Sequence, residues 1–177
     1  MKRWIWSVCL VLAIAFARPA MAQDDSKADV FAGYSFVHVS PQNQANATFN
    51  VNGGDAQVAD NFTPRFAGVA EFAGYAGGKN GFSSTIIAYM FGPRISFRHD
   101  KWTPFVQAVF GGGRIQFPQH QYSNAFAMAV GGGVDYNLNT HWAVRPAQID
   151  FFETKFNDGH NNRQLNFRYS GGIVYRF

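Results

Sequence analysis

The segment from Gln164 to Phe177 alternates between two kinds of side chain. One set of alternate positions, from Leu165 to Phe177, is almost wholly apolar or aromatic, whereas the other contains Arg168, Arg176 and small or polar residues. Successive side chains of a β-strand point to opposite faces of the sheet. The pattern therefore predicts a long strand with one face against an apolar medium and the other against a polar interior.

Seven earlier segments show the same period of two, some of them less regularly. Short polar turns alternate along the chain with four mostly longer links that are rich in Gln, Asn, Gly and His. An even number of strands joined in this way is typical of outer-membrane barrels. We therefore predict an all-β fold, an eight-stranded antiparallel transmembrane up-and-down β-barrel. Its first seven strands are predicted at roughly 29–40, 47–60, 64–76, 85–98, 103–115, 124–136 and 141–155.

Two of these segments lose their phase. Arg145 and Asp150 can share a face of the seventh strand only if an extra residue lies between them, and Pro146-Ala147 is the predicted β-bulge. In the second strand, the pair Gly53-Gly54 is predicted to be a bulge for the same reason.

The N-terminal segment has the pattern of a cleavable signal peptide. Lys2 and Arg3 precede an apolar stretch at 4–16, and the small-x-small sequence at 20–22 follows it. This stretch is shorter than the ~20 apolar residues that a spanning helix needs. We therefore expect export and localisation in the cell outer membrane. The predicted organisation is a signal peptide at 1–22, a short segment at 23–27 and the barrel at 28–177.

The composition after the signal peptide also favours a barrel. The whole sequence contains 19 Phe and 18 Gly, and no apolar run after the signal peptide is long enough to be a transmembrane helix. The only cysteine, Cys9, lies in the signal peptide, so no thiol chemistry is expected in the mature chain. The 15 Lys and Arg nearly balance the 11 Asp and Glu once the cations of the signal peptide are removed, which argues against nucleic acid as a partner.

The two tryptophans after the signal peptide each follow a predicted short turn. Trp102 and Trp142 are therefore expected to join Tyr136 and Phe177 in an aromatic belt at the periplasmic interface. The alternative interpretation is a pair of core tryptophans in a soluble barrel of the lipocalin kind.

Eight charged residues fall on the faces predicted to point into the barrel. Charges on the lipid side cost several kcal/mol, roughly 2–4 at the bilayer midplane for Arg or Lys, so the alternation leaves them only the interior. Isolated buried charges are unfavourable, and we therefore expect these residues to form ion pairs. They are Glu71, Arg94, Arg98, Asp135, Arg145, Asp150, Arg168 and Arg176.

The candidate catalytic and ligand-binding motifs are weak. The glycine runs at 111–113 and 131–133 lack the Lys-Ser/Thr of a phosphate-binding loop, and the five histidines lack metal-ligand spacing. No cofactor or metal is therefore expected. His38 and Ser40 resemble the His-x-Ser pair of some outer-membrane lipid A deacylases, in which a His base activates a Ser nucleophile. No Glu partner follows the pattern expected near the C-terminal strands, so we predict that the protein is not an enzyme.

Two segments resemble the transmembrane domain of outer membrane protein A and its relatives. The run 132–136 with Arg145 beyond it looks like the sixth and seventh strands of that family, and 171–177 looks like its last strand. The resemblance covers the barrel and not the peptidoglycan-binding domain that many relatives carry.

The resemblance implies a gate in the lumen of the barrel. In the family, an acid on strand three, a base on strand four, an acid on strand six and an arginine on strand seven form it. The matching residues here are Glu71, Arg94, Asp135 and Arg145, with Arg in place of the usual Lys on strand four and Asp in place of Glu on strand six.

The resemblance also implies an assembly signal at the end of the chain. In this family a terminal Phe, with hydrophobic residues at alternate preceding positions, is recognised by the barrel-assembly machinery. Tyr169, Ile173, Tyr175 and Phe177 fit this pattern. The implied partners are that machinery, periplasmic chaperones, and the lipid and lipopolysaccharide of the outer membrane.

The sequence thus predicts a non-enzymatic, porin-like membrane protein of the Gram-negative cell envelope. We expect a structural or surface-interaction role and a salt-bridged, mostly plugged lumen, because side chains nearly fill the interior of an eight-stranded barrel. Two alternatives stay open: a small deacylase-like hydrolase acting on lipid, and a narrow channel of low conductance.

Overall fold

The computed structural model describes residues 27–39, 49–79, 82–116, 122–155 and 163–177, and it consists of eight antiparallel strands closed into a barrel. The predicted fold class is confirmed. The predicted signal peptide lies outside the described residues. The strands are β1 (Ala28–Val39), β2 (Phe49–Asn61), β3 (Phe66–Lys79), β4 (Phe82–Ser96), β5 (Trp102–Gln116), β6 (Tyr122–Asn137), β7 (Trp142–Lys155) and β8 (Arg163–Arg176).

Closure depends on the pairing of β1 with β8. Their register runs from Asp29 opposite Arg176 to His38 opposite Phe167. Every strand consequently has two hydrogen-bonded neighbours, and the sheet has no open edge. We call the end that carries the connections 62–65, 97–101 and 138–141 the turn end, and the opposite end the loop end.

The alternation in the sequence corresponds to the inside and the outside of this barrel. On β8, Arg168 and Ser170 are buried in the lumen, whereas Phe167 and Tyr169 are about half exposed on the outer face. An apolar outer face and a polar, buried inner face are the reverse of a soluble protein. In the part of the chain that the structure describes, no helix has the length and apolarity to cross a membrane.

The bulge predicted in β7 is present. Arg145 pairs with Gly172 of β8, and Gln148 pairs with Ser170, so one extra residue lies on β7 at Pro146-Ala147. The extra residue restores the phase, and both Arg145 and Asp150 are buried on the inner side.

The bulge predicted at Gly53-Gly54 is wrong. The register of β2 with β1 and with β3 is continuous through both glycines. The alternation in the sequence changes phase because apolar residues lie on both faces of β2, with Val51 inside and Val58 outside. In the structure Val51 is buried inside, in an apolar cluster whose members nearest the loop end also include Val37, Tyr75 and Phe152.

Some glycines of the inner face are required by the close approach of neighbouring strands. A Cβ atom on Gly111 would lie 2.0 Å from the backbone oxygen of Tyr89, and one on Gly92 would lie 1.9 Å from that of Ala108. No side chain fits at such distances, so β4 and β5 can adopt this curvature only with glycine there. By contrast, a Cβ on the exposed Gly74 would meet nothing within 4 Å.

Candidate functional site in the lumen

Arg145 and Asp135 form a two-point ion pair between β7 and β6. Arg145 Nε lies 2.7 Å from Asp135 Oδ1, and Nη2 lies 3.3 Å from Oδ2. The guanidinium carbon is also 4.3 Å from the ring centroids of both Phe31 and Phe105. Two aromatic rings and a carboxylate thus compensate for the loss of water around this buried cation.

Glu71 pairs with Arg168 of β8, which is not one of the four residues that the sequence predicts for the gate. Arg168 Nη1 donates to Glu71 Oε1, and Nη2 donates to Oε2 at 3.1 Å. Arg168 also contacts Asp150 Oδ2 at 2.6 Å and donates to the Tyr75 hydroxyl at 3.1 Å. One arginine therefore contacts two carboxylates and a phenol in the lumen.

Arg94 makes its hydrogen bonds to amides and not to carboxylates. Its Nη2 donates to Gln57 Oε1 at 2.5 Å and to Gln107 Oε1 at 2.6 Å, and its guanidinium lies 4.4 Å over the Phe105 ring. Within the described ranges, no Asp or Glu forms an ion pair with Arg94.

Two glutamines connect Arg94 to Glu71. Gln57 Nε2 donates to Glu71 Oε2 at 3.1 Å, and Gln107 Nε2 approaches the same oxygen at 3.5 Å. The four residues that the sequence singled out thus lie in one region, but only Asp135 and Arg145 among them form a direct ion pair. Asp135 and Arg145 meet each other, Glu71 meets Arg168, and Arg94 reaches Glu71 only through the amides.

A second group of polar residues was not among the sequence-predicted site residues. Asp55 Oδ2 accepts from Gln57 Nε2 at 3.3 Å and from Ser35 Oγ at 3.5 Å, and Ser35 lies 2.6 Å from Ser170 Oγ. Gln148 donates to Asp150 Oδ2 at 2.8 Å. The alternation places these side chains inside, which was the available signal. The amides and hydroxyls were missed because an uncharged group does not demand a partner as a charge does. Asp55 was missed because it directly follows the bulge wrongly predicted at Gly53-Gly54.

The charges at the turn end extend the network toward the rim. Asp29 lies 3.2 Å from Arg98 and 3.8 Å from Arg176, and Arg176 lies 3.7 Å from Asp135. Arg98 is the most exposed of these, with 19% of its side chain accessible. All eight charges predicted to face inward therefore lie on the inner side of the barrel.

Aromatic side chains cluster on the outer face at the turn end. The ring centroids of Trp102 and Tyr136 are 4.7 Å apart, those of Trp142 and Tyr175 are 4.8 Å apart, and Phe177 lies 4.7 Å from Tyr175. This is the position that the sequence predicts for the belt.

The four residues of the predicted assembly signal all lie on the outer face of β8 or directly after it. Tyr169, Ile173 and Phe177 are about half exposed or more. Tyr175 is more covered and packs against Trp142. Recognition of these residues by assembly factors stays a prediction.

The predicted hydrolase motif is described only in part. His38 is exposed, and its Nδ1 lies 2.7 Å from Asn50 Oδ1, whereas Ser40 lies outside the described residues. Among the residues that are described, no group of three His, Cys, Asp or Glu side chains is arranged to hold a metal ion.

No protein-family description matches this sequence. No curated protein matches it either.

Solved structures, by contrast, share its fold. Neisserial surface protein A matches with a TM-score of 0.72 at 14% identity, covering 86% of this chain and 98% of that one. Ail, the attachment invasion locus protein of Yersinia pestis, in complex with the heparin analogue sucrose octasulfate, matches with a TM-score of 0.63 at 15% identity, over 86% and 99%. The N-terminal β-barrel domain of Pseudomonas aeruginosa OprF matches with a TM-score of 0.57 at 10% identity, over 86% and 98%. These neighbours are small outer-membrane barrels, in agreement with the family resemblance of the sequence.

Proposed function

We propose that this protein is a non-enzymatic integral barrel of the outer membrane, with a structural or surface-interaction role and a closed lumen. The observation that supports the membrane assignment is the reversed distribution of polarity. Large apolar residues such as Phe72, Phe91 and Phe110 are about half exposed on the outer face, while Arg145 and Arg168 are fully buried. Such a surface is stable in lipid and would aggregate in water.

The closed lumen is supported by hydrogen bonds among four of its most deeply buried polar side chains. Gln57, Glu71, Gln148 and Arg168 are each at most 1% exposed. The hydrogen bonds among them join opposite walls of the barrel, for example from β3 to β8. A continuous water path would need these groups to be hydrated, whereas here each is bonded to another side chain.

An apolar layer lies beside this polar network toward the loop end. Val37, Val51, Tyr75 and Phe152 belong to one buried cluster, and the rings of Tyr75 and Phe152 are 6.5 Å apart. Apolar constrictions resist wetting and so oppose the passage of ions. An ion moving through the barrel would therefore meet two barriers of different chemistry.

The partners proposed for such a barrel are the lipid and lipopolysaccharide around it, and chaperones and the assembly machinery during its biogenesis. The outer face supplies the apolar band that lipid requires, and the aromatic cluster at the turn end suits the interface with the headgroups.

Membrane fractionation combined with gel migration before and after boiling tests the proposed location and fold. The protein should pellet with outer membranes, and its unboiled form should migrate differently from the boiled form. Recovery in a soluble fraction would contradict the proposal.

Two further measurements separate the alternatives. Planar bilayers containing the folded protein should show almost no current, whereas the channel alternative requires regular conducting steps. Mass spectrometry of lipid A incubated with the protein should show no loss of acyl chains, and such a loss would favour the hydrolase.

A further inference from the structure

Gln57 contacts more charged residues than any other amide described in the lumen. Its Oε1 accepts from Arg94 Nη2 at 2.5 Å and from Arg145 Nη1 at 2.9 Å. Its Nε2 donates to Glu71 Oε2 at 3.1 Å and to Asp55 Oδ2 at 3.3 Å. One uncharged group therefore bonds to two guanidinium groups through its oxygen and to two carboxyl groups through its nitrogen.

The orientation of this amide is determined by the charges around it. Turning the carboxamide by half a rotation would place its NH₂ group against Arg94 and Arg145, which have no acceptors, and its oxygen against two carboxylates, which have no donors. Every hydrogen bond would be lost in the turned form. The amide is therefore held in one orientation, and it holds the charged groups apart in turn.

This separation decides which ions pair. Glu71 is linked to Arg94 through Gln57 and Gln107, while it contacts Arg168 directly. A side chain of similar size without polar atoms would leave the Arg94 guanidinium without one of its two amide acceptors, while Gln107 would still connect Arg94 to Glu71. Exchange of Glu71 between two arginines would provide the second state that a gate needs.

We propose that Gln57 is the positioning residue of the lumen, and that with Gln107 it fixes Glu71 on Arg168 and so prevents exchange with Arg94. This inference rests on the closed lumen proposed above and deepens it. The lumen is then a plug with one fixed arrangement of ion pairs, and not a two-state gate. Val58 provides the comparison, because it follows Gln57 on β2 but is half exposed on the outer face of the barrel.

Conductance measurements in planar bilayers, made on matched variants, test whether Gln57 restrains Glu71 in this way. Gln57→Met keeps the length and removes the hydrogen bonds, and we expect conducting steps to become about tenfold more frequent, the factor that corresponds to losing a hydrogen bond to a charged group. Val58→Met, on the outer face of the same strand, should stay close to the wild-type frequency. An unchanged frequency in Gln57→Met, or an equal increase in both variants, would overturn the proposal.

A measurement on the unaltered lumen applies even if Gln57→Met does not fold. In detergent micelles, the side-chain amide protons of Gln57 should exchange with solvent at least about a hundredfold more slowly than those of an exposed glutamine. Their NMR resonances should move in both Arg94→Met and Glu71→Gln. Rapid exchange, or a shift in only one of these variants, would show that Gln57 does not bridge the two residues. Regular conducting steps in the wild-type protein would instead refute the closed lumen, while slow exchange would still identify the bridge.

Discussion

Glu71 on β3 is bound to Arg168 on β8 across the lumen, and not to Arg94 on the adjacent strand β4. Because β3 and β4 are neighbours in the sheet, Arg94 starts from the strand next to that of Glu71. However, Gln57 and Gln107 occupy the space between Glu71 and Arg94, and Arg168 reaches Glu71 from the opposite wall. The cross-lumen pair therefore ties together strands that are not neighbours in the sheet.

The central position of Arg168 leads to a first prediction. Arg168→Met would leave Glu71 and Asp150 buried without their cation, and it should reduce the free energy of unfolding by ~3–5 kcal/mol. Glu71→Gln in the same chain should recover part of the loss, because it removes one stranded charge. Urea unfolding in detergent, run as a double-mutant cycle, measures the coupling. If the two changes add without coupling, the two residues are not paired.

Arg145 leads to a second prediction, with a lipid-facing control beside it. Arg145→Ala leaves Asp135 without its two-point partner and should also cost ~3–5 kcal/mol, with partial recovery on adding Asp135→Asn. Coupling of Arg145 to Glu71 should be much weaker, because no contact joins them. Val144→Ala, on the outer face, should cost much less. The same unfolding measurement tests this prediction. Equal losses of unfolding free energy in Val144→Ala and Arg145→Ala would mean that Arg145 does not face the network.

The sequence could predict the strands, the inner and outer faces, and the bulge at Pro146-Ala147. All of these follow from the period-two alternation and from the cost of a charge in lipid. It could not predict that Glu71 pairs with Arg168 and not with Arg94. That choice depends on where side chains from different strands meet along the barrel axis. The alternation predicts only whether a side chain lies on the inner or the outer face. Gln57 was missed because the neutral amide carries no such cost.

The crowded glycine on β5 supplies a third prediction. Gly111→Ala forces a Cβ against the backbone of Tyr89 and should cost ~1–3 kcal/mol, because backbone cannot yield as a flexible side chain can. Gly74→Ala is the matched control, since its Cβ would meet open space, and it should be neutral or stabilising by ~0.5 kcal/mol. Unfolding free energies of the two variants provide the comparison. A larger loss at Gly74 would contradict the strand packing described here.

The aromatic cluster at the turn end supplies a fourth prediction. Trp102 and Trp142 lie at one end of the outer face and not at its middle. In lipid vesicles, their fluorescence should therefore be quenched more strongly by lipids brominated near the headgroup than by lipids brominated at the end of the acyl chain. Trp102→Phe and Trp142→Phe report on each residue separately. Stronger quenching from the chain end would mean that the belt does not lie at the interface.

The most direct test of the whole account uses single cysteines at each position from 126 to 130 of β6, in a chain whose own cysteine, Cys9, lies in the predicted signal peptide and is replaced by Ser. Ala127 and Ala129 are fully buried in the lumen, while Phe126 and Val130 face outward. With the protein in lipid vesicles, a charged, water-soluble thiol reagent should modify none of these cysteines, and after unfolding it should modify all of them. Modification at 127 and 129 in the folded protein would show a water-filled lumen. Modification at 126, 128 and 130 would show that the outer face is not in lipid.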